Sequence, residues 1–350
     1  MLAMQDMVKT MRGIVPWPVM RAFLRRSGLP VARGWDEVVE KFNELLDLER
    51  ASAEASVEQF LTDYHLHGEK WVTFLEVPEH FRDRLSTYLG GLQPENGQAT
   101  SDFPLRMADE FLVTEEQDIL QLVKVTTRGD VVSLIFSGIA AAESKDTIYP
   151  DQFVTSGIPA AFTGYEEIVL IRRQPSQYFP VIVFDKAQGL VQALVPSLGN
   201  MSAEDVLLTN LTRKMNELLV AEFQLDLQLL RNHNLFPAIH NIYMEPAEGT
   251  VVELGFQTET GSAKLERMKE HDLRQEPFHV KGKAAVFNTL LEFRLTVRWE
   301  LNGHNLELML PGTTRTIAKS PPYALYRARI TGTVDQAEFG HCITKLLHYS

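Results

Sequence analysis

Residues 290–310 read LLEFRLTVRWELNGHNLELML, and their alternation decides the fold class. Leu291, Phe293, Leu295, Val297, Trp299 and Leu301 fall on one side; Glu292, Arg294, Thr296, Arg298 and Glu300 fall on the other. Period two without a miss is the pattern of a strand with one buried and one wet face. Asn302-Gly303 then supplies the dipeptide that best tolerates the positive φ angles of a type I′ turn. Leu306, Leu308 and Leu310 resume the alternation. The stretch predicts a β-hairpin with Arg294 and Arg298 on its open face.

The hairpin belongs to a basic module. Around it, a strand near Val251 to Phe256 and a further alternating strand at Tyr326, Ala328 and Ile330 are expected. Ser262 is placed to cap a short basic helix through Leu265 and Met268. Asp335 with Glu338 three residues on is an acidic form of the capping box, opening a last helix with Phe339, Cys342, Ile343, Leu346 and Leu347 on one face.

Upstream, Ile119 to Val125, Val131 to Phe136, Ile168 to Ile171, Val181 to Phe184 and Leu190 to Val195 read as strands covered on both faces. The third and fourth are expected to turn at Gln174-Pro175-Ser176. Val206, Leu207, Leu211, Met215, Leu218 and Leu219 mark a long helix on that sheet, capped by Ser202. Phe223, Leu225, Leu227 and Leu229 fit either a strand or more helix.

Residues 1–92 read as four or five short helices. Pro18 and Pro78 suit first helical positions, Asp36 starts a third helix, and Gly28, Gly68 and Gly90-Gly91 stop successive apolar stripes. The polar stretch Gln93 to Pro104 is the best domain boundary. The expected fold is therefore α+β. An N-terminal helical bundle (1–92) precedes a central, mainly antiparallel sheet with a long helix (104–230). A basic α+β module carrying the hairpin and the terminal helix (249–350) completes the chain.

Composition sets bounds on function. The chain has 350 residues, 45% hydrophobic and 23% charged, which is a globular balance. Its single cysteine excludes an internal disulfide and a C-x-x-C zinc or redox site. Asp6 and Lys9 interrupt what would be the apolar core of a signal peptide, and no apolar run approaches the ~18 residues that span a bilayer. A cytoplasmic protein without a membrane segment is the expectation. Net charge is −12, but Lys264 to Arg329 holds twelve Lys and Arg against seven Asp and Glu, an excess of five that leaves −17 elsewhere. That asymmetry points to an acidic or polyanionic partner at the C-terminal third, unless the basic third only pairs with the acidic remainder.

Motifs for phosphate-binding loops, dinucleotide binding, nucleophile elbows and zinc proteases are absent from the sequence. Three weaker constellations remain. Asp63, His65, His67 and His80 carry divalent-metal chemistry, but positions two apart on a helix face away from each other. Asp130, Glu143 and Lys145 fit a loose D-x(12)-E-x-K spacing, in which two carboxylates hold a metal and a lysine stabilises developing charge. Glu143 and Lys145, however, read as part of a loop. Arg274, His279, Lys281 and Lys283 before the hairpin, with Arg294, Arg298, Arg315, Arg327 and Arg329 in and after it, make a basic patch with aromatics nearby. Trp299 falls on the apolar side of its strand and so belongs to the core. Cys342 lies on the apolar stripe of the last helix, as a small buried hydrophobe.

The functional expectation is a non-catalytic binding or assembly protein that needs no cofactor. Its helical module would meet a protein partner, and its basic C-terminal face would meet nucleic acid or an acidic protein. The alternatives are a metal-dependent phosphodiesterase or nuclease using Asp130, Glu143 and Lys145, and a structural subunit of a homo-oligomer or larger complex.

Overall fold

The computed structural model of the chain describes residues 2–112, 119–149, 165–198, 201–223, 230–286 and 290–350. Four helices come first: α1 (Met4–Arg12), α2 (Trp17–Arg26), α3 (Trp35–Asn43) and α4 (Asp47–His67). β1 (Lys70–Glu76), α5 (Glu79–Gly91), α6 (Gln98–Asp102) and α7 (Asp109–Leu112) follow. Then come β2 (Gln121–Arg128), β3 (Val131–Ile148), β4 (Ile168–Tyr178), β5 (Val181–Asp185), β6 (Leu190–Pro196) and α8 (Met201–Phe223). The remainder is β7 (Arg231–Asn232), α9 (Phe236–Met244), β8 (Thr250–Thr258), β9 (Ala263–Arg267), α10 (Pro277–Ala285), β10 (Leu290–Leu301), β11 (His304–Leu310), β12 (Arg327–Thr331) and α11 (Gln336–Tyr349). This is the expected α+β architecture with N-terminal helices. No helix among the described residues is long and apolar enough to cross a membrane.

The hairpin forms as its sequence dictates. Leu295 pairs with Leu310, Val297 with Leu308 and Trp299 with Leu306 across β10 and β11. At the turn, Asn302 has φ 52° and Gly303 φ 80°, the two positive angles of a type I′ turn. The tip is held from outside. The His304 imidazole and the Asn302 amide meet the buried Glu338 of α11 at 3.0 and 3.2 Å, and Arg26 of α2 pairs with the same carboxylate. Asp335 caps α11 by accepting from the Glu338 amide at 3.0 Å.

One antiparallel sheet runs β2-β3-β5-β6-β1-β12-β11-β10-β8-β9, with β4 pairing the far half of β3 and β7 the end of β1. Residues 70–76, inside the stretch whose sequence reads as helical, supply the strand that joins the others. β1 pairs with β6 on one side and β12 on the other. Strands from all three sequence segments therefore share one sheet.

Two apolar cores lie on its two faces. On one, Val72, Phe74, Leu295, Val297 and Leu308 pack against Ile239 of α9 and Phe339 and Leu346 of α11. On the other, Trp71, Phe136 and Phe184 pack against Leu89 of α5 and Leu207 and Leu211 of α8. A third core closes the N-terminal helices around Met7, Met20, Val38, Phe42 and Leu61.

Two local readings change. Residues 263–267, expected within a helix, form β9 against β8, because cross-strand pairing outweighs a weak local preference. β4 continues through Pro175 instead of turning there. Among the described residues it pairs with β3 alone, and a proline without an N–H is tolerated there. The alternation at Leu225, Leu227 and Leu229 lies outside the described residues.

Candidate binding face

Alternation along β10 sends Leu295, Val297 and Trp299 into the core and leaves Arg294, Thr296 and Arg298 on the other face of the sheet. Neighbouring strands add Glu253 from β8, Arg267 from β9, Glu307 and Met309 from β11, and Arg329 from β12. α8 covers the adjoining half of this face, over β1, β3, β5 and β6, and stops short of these strands. What remains is an open trough of about 640 Å³.

Most of its arginines are engaged. Arg294 and Arg267 share the Glu253 carboxylate. Arg298 donates twice to Glu307, at 2.8 and 2.7 Å, and once to the Lys269 carbonyl at 2.7 Å. Such half-exposed pairs contribute about 0.2–1 kcal/mol each and hold the guanidinium planes in register more than they stabilise the fold. Arg329 is different. Its Nε is buried without a hydrogen-bond partner, and it forms no ion pair among the described residues. It lies near Glu69, whose carboxyl is raised above its usual range by burial, with the Gly332 amide and Arg329 pulling it back. Five basic side chains (Arg267, Lys269, Arg294, Arg298, Arg329) stand against three glutamates (Glu69, Glu253, Glu307) in the trough.

The other basic residues singled out from the sequence divide into three groups. Arg327 borders the trough, paired at 3.0 Å with Asp205 of α8 and lying 4.9 Å from the Trp71 ring centroid. Arg274, His279 and Lys283 hold the protein's own structure. Arg274 pairs with Asp272 at 2.6 Å and donates to the Glu245, Glu248 and Gly249 carbonyls. His279 is buried against Glu266 and the Tyr243 hydroxyl, and Lys283 lies 3.1 Å from that same hydroxyl. By alternation Glu266 faces away from Arg267, so this network belongs to the opposite side of the sheet. Lys281 and Arg315 are exposed, on α10 and on the segment after β11.

The four residues with metal-ligand chemistry point to different places. His65 is buried between Phe103 and Phe179 and donates Nε2–H to the Pro104 carbonyl at 2.8 Å. Burial pushes its pKa down to about 3, so the ring is neutral. His67 lies by Phe339 of α11, also lowered, to about 4, by burial. Asp63 accepts from Gln59 at 2.9 Å, and His80 stacks beside Phe81 on α5. Among the described residues no group of three or more His, Cys, Asp or Glu is placed to hold a metal ion.

Asp130 lies in the β2–β3 turn, while Glu143 and Lys145 lie in the far half of β3, where the strand pairs with β4. Their reading as loop residues gives way to a continuous strand. At about 3.3 Å per residue, Asp130 and Glu143 are on the order of 40 Å apart along it. The Cys342 thiol is buried, and that burial pushes its pKa up to about 12.

Sequence reasoning passed over Lys70, Arg106 and Ser197, which gather with Glu69 at the ends of β1 and β6. One signal was legible. Lys70 shares the parity of Val72 and Phe74, so a strand there puts a lysine on an apolar face. Arg106 and Ser197 carry no such mark. No protein-family model and no curated protein matches this chain.

Proposed function

We propose that this chain is a non-catalytic binding protein that holds an acidic segment of a protein partner on the open face of β8–β12. The observation that carries the reading is Arg329: a guanidinium without an ion pair, set between β11 and β1 on a face that α8 leaves uncovered. Arg294 and Arg298 flank it, pre-oriented by Glu253 and Glu307. Partner carboxylates can exchange into such forks at small cost, because the arginine rotamers are already fixed.

An acidic protein suits the face better than nucleic acid. Glu69, Glu253 and Glu307 interrupt the positive charge, so a continuous phosphate backbone would meet repulsion at each. Of the aromatics near the patch, Trp299 and Tyr323 are committed elsewhere, and Tyr326 alone is exposed. Trp299 lies in the core, its Nε1–H donating to Glu248 at 2.7 Å, and Tyr323 packs on Phe236 with ring centroids 5.2 Å apart.

The test uses the full chain with a fluorescent glutamate-rich peptide and with labelled single- and double-stranded DNA and RNA, titrated across salt. Binding of the peptide is expected, weakened at least tenfold by Arg329→Glu, a change that breaks no existing ion pair. Tight, salt-sensitive oligonucleotide binding would move the reading to nucleic acid. Absence of both would end it.

A further inference from the structure

A second, enclosed site lies at the ends of β1 and β6, under the N-terminal helices. Lys70 opens β1 opposite Pro196, and the Ser197 amide donates to the Glu69 carbonyl at 3.1 Å. Tyr64 of α4, Arg106 from the segment before α7, and Gln177 close a cavity of about 160 Å³ over them. At about 30 Å³ per water, that is the space of about five waters.

The chemistry of the lining is one-sided. Lys70 is 3% exposed and forms no hydrogen bond or ion pair among the described residues. Burial lowers its pKa to about 7. The Arg106 Nε and the Ser197 Oγ are buried without partners, although the Arg106 Nη2 reaches Ser176. The Tyr64 hydroxyl is kept protonated by burial and by the nearby Glu69 carboxylate. Glu69 is the lone carboxylate of the lining; burial raises its pKa, while the Gly332 amide and Arg329 pull it back. Gln177 is already spent, accepting from the Met107 amide at 2.7 Å and donating to Ser137 at 2.8 Å.

Lys70, Arg106 and Ser197 therefore line one small space, and the Lys70 ammonium, the Arg106 Nε–H and the Ser197 hydroxyl lack partners there, with Glu69 the one carboxylate beside them. Leaving such groups unmatched costs on the order of 1–3 kcal/mol each, and more for a charge. A compact group with several acceptor oxygens and negative charge answers all three at once.

We propose that this cavity binds a small oxyanion, a phosphate, sulfate or carboxylate group, through Lys70 Nζ, Arg106 Nε and Ser197 Oγ. The anion supplies the counter-charge that Lys70 lacks, so binding draws a proton onto the amine. Affinity therefore falls with rising pH once the amine of the empty site is neutral. The site shares Glu69 with the arginine face but does not depend on the function proposed for that face.

The experiment is thermal unfolding and calorimetric titration of the full chain with sodium sulfate, which does not itself titrate near neutrality, against sodium chloride of equal ionic strength. Sulfate is expected to raise the melting temperature, with a dissociation constant at least tenfold larger at pH 8.5 than at pH 6.0. Lys70→Met is expected to abolish the effect while the protein still melts cooperatively. Ser197→Ala, a milder change, should weaken binding severalfold. Inorganic phosphate and acetate run as parallel arms: a response to phosphate supports a tetrahedral ligand, a response to acetate a carboxylate. No response to any of the three beyond the chloride control overturns the proposal. So does a sulfate effect that survives in Lys70→Met but vanishes in Arg329→Glu, which would put the anion on the open face instead.

Discussion

His65 and His67 sit two positions apart on α4 and meet entirely different surroundings. His65 lies between two phenylalanine rings with one proton fixed on the Pro104 carbonyl; His67 leans on α11. Both are held neutral, with folded pKa values near 3 and 4 against an ordinary value of 6.5. The unfolded chain therefore binds protons that the folded chain refuses. Their contribution to stability is whole above pH 6.5 and is lost as pH falls toward 4. The proton that the fully enclosed His65 refuses steepens the loss by up to ~1.4 kcal/mol per pH unit. His65→Gln, which retains a donor for the Pro104 carbonyl, is expected to flatten unfolding free energy between pH 6.5 and 4. Denaturant melts at several pH values measure it; an unchanged slope would mean that His65 is charged in the folded protein. The pair was legible in the sequence as metal chemistry, but the spacing rule that separates two such side chains on a helix was legible too.

At the scale of elements, the hairpin is the clearest success of local patterning. The turn, the inward Trp299 and the alternation from Arg294 to Leu301 stand in the structure, whereas a bulge after Glu292 breaks the period and buries that carboxylate against His240 of α9. What alternation could not reveal is what Trp299 reaches. Its N–H donates to Glu248, which also takes Lys345 at 2.6 Å and Tyr349 at 3.1 Å from α11. One carboxylate thus ties β10 to the terminal helix. Burial raises its pKa, but these donors outweigh that and leave it below the usual range. Glu248→Gln removes the charge that Lys345 and Trp299 share while keeping the size. It is expected to cost about 1–3 kcal/mol, with early exchange of α11 amides. Urea unfolding and hydrogen exchange check it; uniform amide protection would show that α11 is held by its apolar face alone. β9 was misread for the complementary reason. Ala263–Arg267 is mostly exposed, so it has almost no apolar period, and only the neighbouring β8 makes it a strand.

For the whole molecule, β1 is the decisive element. Its strand is seven residues long, and it seats between β6 and β12, so the first third of the chain completes a sheet begun by the second and the last. Phe74 is fully buried at its centre, among the residues that pack toward α9 and α11. Phe74→Ala is expected to cost about 3–5 kcal/mol and to lower one cooperative transition. Calorimetry with near- and far-ultraviolet circular dichroism decides it. Two separate transitions, only one shifted, would show that the segments on either side of Gln93–Pro104 unfold as independent domains.

Much of this was determined by the sequence itself. Period-two runs, Asn302-Gly303, the Asp335 cap and the glycine stops act within a few residues, so they set the hairpin, its faces and most helix ends without knowing the rest of the fold. The excess of positive charge in the C-terminal third is likewise a property of composition. Tertiary structure alone decided which strands are neighbours, and with that the chemistry. It paired Arg294 and Arg298 with glutamates and left Arg329 unpaired. It gathered Arg274, His279 and Lys283 into the protein's own support, and it enclosed Lys70 with Arg106 and Ser197. The reason is physical. A strand's partner is chosen by burial summed over long-range contacts, and a side chain's charge state follows from what that choice places around it.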